Sequence, residues 1–360
     1  MPSSIAFVNT IQDVARHAGV SASTVSNVLN GRADRMGKQT LARVQAAIEA
    51  LAFRPSRTAR QLKTGHTPMI GLLVPSIVNP VYGHIAREIE FAAQALHGYR
   101  VVLGNTYRNV QKETGFLNDL LDHGVRGVVV VSSLANEAHF EAAVARGLAV
   151  VSYDRRATAA IGSRIDHVSP DNFEAARLAT AYLIEQGHTR IAFATASGQT
   201  MSRREKISGF FAAAQSAGLG HAVKVIHTKT LTDYGDSEMA DVGRKLAARL
   251  VATRQRPTAV VAVNDMLAIG LLAGFHDAGL AVPDEISVVG MDDMLLSSFV
   301  TPELTCVRTP FPEIARTIVE RVMARIADPR LASAEFVFAP ALVVRQSVAR
   351  RVRARRPATA

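Results

Sequence analysis

Two patterns of apolar and polar residues divide the chain. Over residues 10–53 the apolar positions recur at helical intervals. Ile11, Val14, Ala15 and Ala18 fall on one face of a first helix. Gly19 supplies the freedom for a sharp turn, and Ser21 can cap a second helix. In that helix Val25, Val28 and Leu29 face inward, which leaves Ala22, Ser23, Ser26 and Asn27 outside. Leu41, Val44, Ile48 and Leu51 mark a third helix. From Met69 the style changes. Short β-branched runs (MIGLLVP, YRVVLGN, RGVVVVS, LAVVSYD, RIAFAT, TAVVAVN, ISVVGMD) alternate with helical stretches. Continuous apolar strands of this kind are buried on both faces, as in parallel sheets flanked by helices.

The series is too long for one ordinary sheet, and DRRATAAIGSRIDHVSPDN breaks it near 154–170. Two α/β lobes with a cleft between them is the expected solution. Between the two patterns lies RPSRTARQLKTGHTP (54–68), which is basic, poor in apolar side chains and bounded by Pro55 and Pro68. It reads as a connector.

Charge sharpens this division. The net charge is +10, but residues 1–65 carry +6, residues 345–360 another +6, and the long middle −2. A basic first module on a near-neutral body implies a polyanion partner for that module. The arginine-rich end RRVRARRPATA reads as a solubilising, disordered tail over 347–360. A single cysteine, Cys306, excludes an intramolecular disulfide and a C-x-x-C site, and its apolar neighbours suit a buried, inert thiol. The chain has neither a basic-apolar leader nor an apolar run of about 18 residues, so a soluble cytoplasmic protein is expected. Phosphate loops of the G-x-x-x-x-G-K type are absent, as is a G-x-G-x-x-G after a strand. The eleven histidines are scattered, and no Ser/His/Asp set or metal cluster has convincing spacing. No enzyme activity, cofactor or metal is expected.

Ala15, Gly19 and Val25 match the packing demands of a helix-turn-helix. Its second helix would enter the major groove with a small, uncharged face, on which Ser23 and Asn27 can bond base edges. Arg16, Arg32, Arg35, Lys38, Arg54 and Arg57 are candidates for phosphate contacts. A plain three-helix domain with the same turn is the competing reading.

At this level the chain resembles the lactose- and purine-repressor family (LacI/GalR type). The resemblance is carried by TIQDVARHAGVSASTVSNVLNG, PSRTARQLKTGHTPMIGLLVP, LIEQGHTRIAF, RPTAVVAVNDMLAIG and VPDEISVVGMDD, and runs from Thr10 to Gln346. It implies an all-α helix-turn-helix DNA-binding domain (1–55), a hinge helix and linker (56–67) and an α/β two-lobed core like that of periplasmic binding proteins (68–346). One lobe would hold 68–167 and 308–330, the other 168–307 and 331–346. The DNA-binding set it implies is Thr10, Ser21, Ala22, Ser23, Ser26, Asn27, Asn30 and Arg57, with Leu62 as a minor-groove wedge followed by Lys63. The expected partners are a palindromic double-stranded operator, a second copy of the chain and a small-molecule effector, sugar-like rather than purine. The family's C-terminal leucine heptads are missing after residue 346, so a dimer is expected.

The implied effector set is Asn79, Tyr82, Asp171, Arg204, Lys206, Asn264, Asp265 and Asp292, at the carboxyl ends of strands where such sheets bind ligands. Helix capping competes as an explanation for Asp265 and Asp292, and core packing for Tyr82. One departure stands out: Lys206 occupies a position where the family often has arginine, with Arg204 nearby. Tyr234 is a weaker candidate for an aromatic contact. A repressor is expected rather than an activator. A purine- or nucleoside-responsive regulator and a ligand-independent DNA-binding protein with a decayed cleft remain alternatives.

Overall fold

The computed structural model describes residues 9–29, 32–33, 36–53, 67–131, 133–157, 163–232 and 234–351. Two compact units emerge, residues 1–67 and 68–360.

In the first unit, α1 (Ile11–Ala18), α2 (Ala22–Leu29) and α3 (Lys38–Ala50) enclose a small core of Val14, Ala15, Ala18, Val25, Val44, Ala47 and Phe53. Gly19 ends α1 at φ 62°, a left-handed conformation that costs glycine little, and so turns the chain into α2.

The second unit is an α/β core of two lobes. Its first sheet has the order β11-β5-β4-β3-β1-β2, all parallel: β1 (Met69–Val74), β2 (Arg100–Asn105), β3 (Gly127–Val130), β4 (Ala149–Tyr153), β5 (Asp166–Pro170) and β11 (Glu335–Phe338). Along β1 the pleat sends Leu72 to one face and Leu73 to the other. One face packs on α4 (Pro80–His97) and α11 (Phe311–Ala327), the other on α5 (Val110–Asp122) and α6 (Ala138–Ala145).

The second sheet has the order β12-β10-β9-β8-β6-β7: β6 (Ile191–Ala196), β7 (Val223–Thr228), β8 (Ala259–Ala262), β9 (Ser287–Asp292), β10 (Thr305–Arg308) and an antiparallel edge, β12 (Ala341–Val343). Every residue of β6, β8 and β9 is buried, as the unbroken apolar runs require. Helices α7 (Asn172–Glu185), α8 (Met201–Ser216), α9 (Met239–Val251) and α10 (Asp265–Asp277) cover this sheet. Gly270 lets α10 sit against α9, since a Cβ there would lie 2.0 Å from the Ala240 carbonyl oxygen.

The chain crosses between lobes after β5, after β10 and after β11. Two expected boundaries therefore move. Residues 168–170 complete β5 in the first lobe rather than opening the second. Residues 331–338 supply β11, paired to β5 in the first sheet, so only β12 of the expected 331–346 segment pairs in the second. The short edge strand EFVF carries too little pattern to show which sheet it joins.

Candidate functional site: a helix-turn-helix face and an interlobe cleft

The N-terminal unit is built by local capping. Thr10 and Asp13 form a capping box: the Thr10 N–H donates to Asp13 Oδ2 (2.9 Å), and the Asp13 N–H to Thr10 Oγ1 (3.3 Å). Ser21 Oγ accepts from the Thr24 N–H at 3.2 Å and so starts α2. Ser23 and Asn27 are exposed on that helix, and Ser26 is half-buried. Ala22 was expected to face out, but it packs partly on the small core. Asn30, Arg57, Leu62 and Lys63 lie outside the described residues, as do Arg35 and Arg54.

The cleft opens between the carboxyl ends of the two sheets, enclosing about 780 Å³ with its open mouth included. Asn79, Tyr82, Lys206, Asn264 and Asp292 all line it, so five of the eight expected residues meet. Asn79 and Asn264 also cap helices: the Val81 N–H donates to Asn79 Oδ1 at 3.3 Å and the Leu267 N–H to Asn264 Oδ1 at 2.9 Å. Each keeps its amide NH₂ for other partners.

Asp292 ends β9 at φ 116°, a conformation that side-chain-bearing residues rarely adopt, and it caps no helix. Burial pushes its carboxyl up to about 8, the charges of Asp265 and Asp154 push the same way, and Lys206 pulls it down. Lys206 Nζ donates to the Val263 carbonyl oxygen at 3.1 Å.

Three expected residues are elsewhere. Asp171 caps α7 by accepting from the Glu174 N–H, and its neighbour Asn172 lines the cleft instead. Arg204 is exposed and borders a separate hollow with Tyr234; Arg203, one residue earlier, is buried and lines the cleft. One residue of helix is about 100° of rotation, enough to exchange inside for outside. Asp265 is fully buried and accepts from the Met294 N–H (2.8 Å), Ser297 Oγ (2.6 Å) and Cys306 Sγ (3.2 Å). It anchors the turn after β9 and does not line the cleft; burial raises its carboxyl to about 6.

The strongest polar constellation in the cleft joins residues absent from the expected set. Arg108, beyond β2 in the first lobe, holds Asp236 of the second in a two-pronged ion pair: Nε to Oδ2 at 2.8 Å and Nη2 to Oδ1 at 3.3 Å. Tyr82 OH donates to Asp236 Oδ1 (3.0 Å) and accepts from Arg108 Nη2 (3.0 Å). Tyr82 therefore serves mainly as a hydroxyl in this network. Burial works against the Arg108 charge, but Asp236 and Tyr82 outweigh it and hold the guanidinium above its ordinary range. Arg108 Nη1 is buried with no hydrogen-bond partner among the described residues. A second interlobe tie lies at Ser133, whose Oγ accepts from the Ser202 N–H at 3.1 Å. Asp154, at the end of LAVVSYD, was within reach of the strand-end rule; Arg108 and Asp236 stand 128 residues apart in loops, with no signal to pair them.

Among the described residues no group of His, Cys, Asp and Glu is arranged to hold a metal, and no helix is long and apolar enough to cross a membrane.

A small DNA-reading unit ahead of a two-lobed binding core defines a ligand-responsive transcriptional regulator. Residues 10–56 match the family model "Bacterial regulatory proteins, lacI family", and residues 180–348 match "Periplasmic binding protein-like domain". The chain is 32% identical over 342 residues to the transcriptional repressor PurR of Photobacterium profundum, covering 94% of this chain and 98% of that protein. It is 33% identical over 343 residues to the ribose operon repressor of Escherichia coli K12 (94% and 99% covered), and 31% identical over 339 to that organism's regulator GalR (94% and 95%). Among solved structures it resembles the lac repressor dimer bound to operator and an anti-inducer, with TM-score 0.80, 24% identity and 95% and 99% of the two chains covered. It also resembles the regulator CelR in complex with cellobiose (TM-score 0.67, 25% identity, 94% and 99% covered). The chain belongs to the LacI family: it is a DNA-binding transcriptional repressor with an effector-binding core, and not an enzyme.

Proposed function

We propose that this repressor binds a palindromic operator as a cytoplasmic homodimer and releases or grips it in response to a sugar or sugar derivative held between the core lobes. The observation that carries the effector class is the chemistry of the cleft. Asp292, Asn264, Asn172, Asn79 and Lys206 offer carboxyl, amide and ammonium groups suited to hydroxyls. Among the described residues its aromatic lining is Tyr82 and Tyr153, with the Tyr82 hydroxyl engaged by Asp236, so a planar base finds little there to stack on. Relatives named for ribose and cellobiose support this reading; the purine repressors among them make nucleobases the alternative.

A second copy is supported by exposed apolar side chains on the edge of the first lobe: Ile77 and Val78 before α4, Phe91 on it, and Leu103 on β2. Two half-sites need two recognition helices. Effector binding acts by favouring one arrangement of the lobes over another, a difference in affinity between two states.

The test is a thermal-melting screen against pentoses, hexoses, disaccharides, nucleosides and purines, followed by operator binding with each hit. A ligand at a hundredfold excess over Kd stabilises the folded chain by about 2.7 kcal/mol. A sugar that both raises the melting temperature and shifts operator affinity supports the proposal. Hits confined to purines would move the assignment to nucleobases, and no response to any compound would favour a decayed cleft.

A further inference from the structure

Arg350 and Arg351 open the arginine-rich end of the sequence, and residues 349–351 sit at a defined place on the core. Arg351 is tied there by its N–H, which donates to the Gln186 carbonyl oxygen at 2.7 Å, and His188 Nε2 meets the Ala349 carbonyl oxygen at 3.1 Å. These contacts set residues 349–351 against the base of the second lobe, where β6, β8 and β9 begin. A hollow in that base is lined by Arg190, Arg254, Arg256 and Arg351, together with Thr258 and Glu285.

Two of these arginines are spread across the surface by backbone carbonyls: Arg190 Nε donates to the Arg256 carbonyl oxygen (3.3 Å) and Arg351 Nη2 to that of Glu285 (3.1 Å). Such bonds orient a guanidinium without neutralising it. Among the described residues Glu285 is the acid within ion-pair distance of this group, 3.6 Å from Arg256, and Asp284 adjoins it in the turn. Arg350 stands exposed beside the hollow, and the sequence continues with Arg353, Arg355 and Arg356 and no acid.

We infer that this base is a second polyanion-binding surface whose occupant is duplex DNA. Three observations favour phosphates. Every cation here is arginine, whose planar fork holds phosphate oxygens in pairs. Among the described residues Arg190, Arg254 and Arg351 have no acid within ion-pair distance, and all three face solvent, where a regularly charged backbone can approach. The repressor also works among duplex DNA, so that polyanion is always near. The core begins at Pro68, beside the start of β1 at the base of the first lobe, and the strands of both lobes point their carboxyl ends at the cleft. The arginine hollow therefore lies at the pole of the core opposite to Pro68.

The test uses the full chain with its helix-turn-helix saturated by an unlabelled selected operator duplex, and reads the binding of a labelled random-sequence duplex by fluorescence anisotropy across a salt series. The variants are Arg254→Glu, Arg254→Lys and the triple Arg254→Ala/Arg256→Ala/Arg351→Ala. Each lost phosphate contact lowers the slope of log affinity against log salt by about 0.9, so the triple variant should lose about two to three units and weaken binding about tenfold or more at low salt. Arg254→Glu should weaken binding and Arg254→Lys largely restore it. Arg254 is exposed, so these single variants keep the fold in place. An unchanged slope in the triple variant overturns the inference. So does equally tight, equally arginine-dependent binding of poly-glutamate, which would make the occupant an acidic protein.

Discussion

The DNA-reading helix and the effector cleft solve recognition in opposite ways. Helix α2, ASTVSNVL, contains no charged residue and offers Ser23 and Asn27 to solvent. Base edges in a major groove are wet, and discrimination there rests on hydrogen-bond pattern, so small neutral side chains serve well. The cleft gathers Arg108, Arg203, Lys206, Asp154, Asp236 and Asp292 into a partly enclosed space between the lobes. There, a charge without a partner is costly, and the cleft's strongest groups are already bonded to each other across the lobes. The helix presents neutral hydroxyl and amide groups to solvent; the cleft holds its strongest charges in the Arg108–Asp236 pair, which also ties the lobes together. A ligand entering the cleft must bargain with that pair, which couples binding to lobe geometry.

The largest effect should come from breaking that internal pairing. Asp236→Ala leaves the Arg108 guanidinium buried (3% exposed) without its carboxylate. Denaturant unfolding should show the core destabilised by about 3 kcal/mol or more. The double variant Arg108→Met/Asp236→Ala removes the stranded charge and should recover most of the loss. A single-variant cost below about 1 kcal/mol, the range of surface pairs, would show that the cleft charges are as wet as the helix face and would erase the contrast.

On the DNA side, Asn27→Ala should weaken binding to a selected operator by about tenfold, the loss of a bidentate base contact of roughly 1–3 kcal/mol, and leave random duplex untouched. Equal losses on both would place Asn27 among backbone-positioning residues. Competition between operator and random duplex measures both at once.

The same contrast decides what could be read from the sequence. The helix-turn-helix was legible because its determinants are local: Gly19 and Ser21 sit where turn and cap geometry demand them, and Val14, Val25 and Val44 follow the helical period. The parallel sheets were legible because strands buried on both faces are written as unbroken apolar runs. Strand-end residues such as Asn264 and Asp292 followed from the polarity of the sheets. The Arg108–Asp236 pair was not legible, since its two halves come from loops in different lobes. Arg203 against Arg204 was also out of reach, because it depends on the rotation of α8 to within one residue. Asp265 misled because a buried structural carboxylate and a binding carboxylate look alike beside a strand end. Even Ala22, within the clearest motif, turned out to pack on the core.

Titration offers a gentler test of the cleft. With Asp292 raised to about 8 from an ordinary carboxylate value of 3.8, the folded chain holds a proton that the unfolded chain releases between those limits. Stability should therefore fall as pH rises through that window and level off above it. Asp292→Asn should flatten the fall and leave the variant more stable than the parent at pH 8. Asp265 (about 6) and Glu205 (about 7) keep part of the slope. Thermal melting across the pH range measures it, and identical curves for parent and variant would mean that the Asp292 carboxyl is not in fact starved of solvation.

The smallest expected effect concerns the capping box at the start of the helical unit. Thr10 belongs to the DNA-binding set that the family resemblance implies, yet its N–H and hydroxyl are both engaged with Asp13 in the box that starts α1. Thr10→Ala should cost the N-terminal unit about 1 kcal/mol, the usual worth of a cap, whether or not DNA is present. Thr10→Ser keeps the hydroxyl and should lose little. If Thr10→Ala melts like the parent but binds operator more weakly, Thr10 reads DNA and the capping geometry is secondary. If melting falls while the operator-to-random affinity ratio holds, Thr10 acts only by holding α1, and through Gly19 the angle at which α2 is presented.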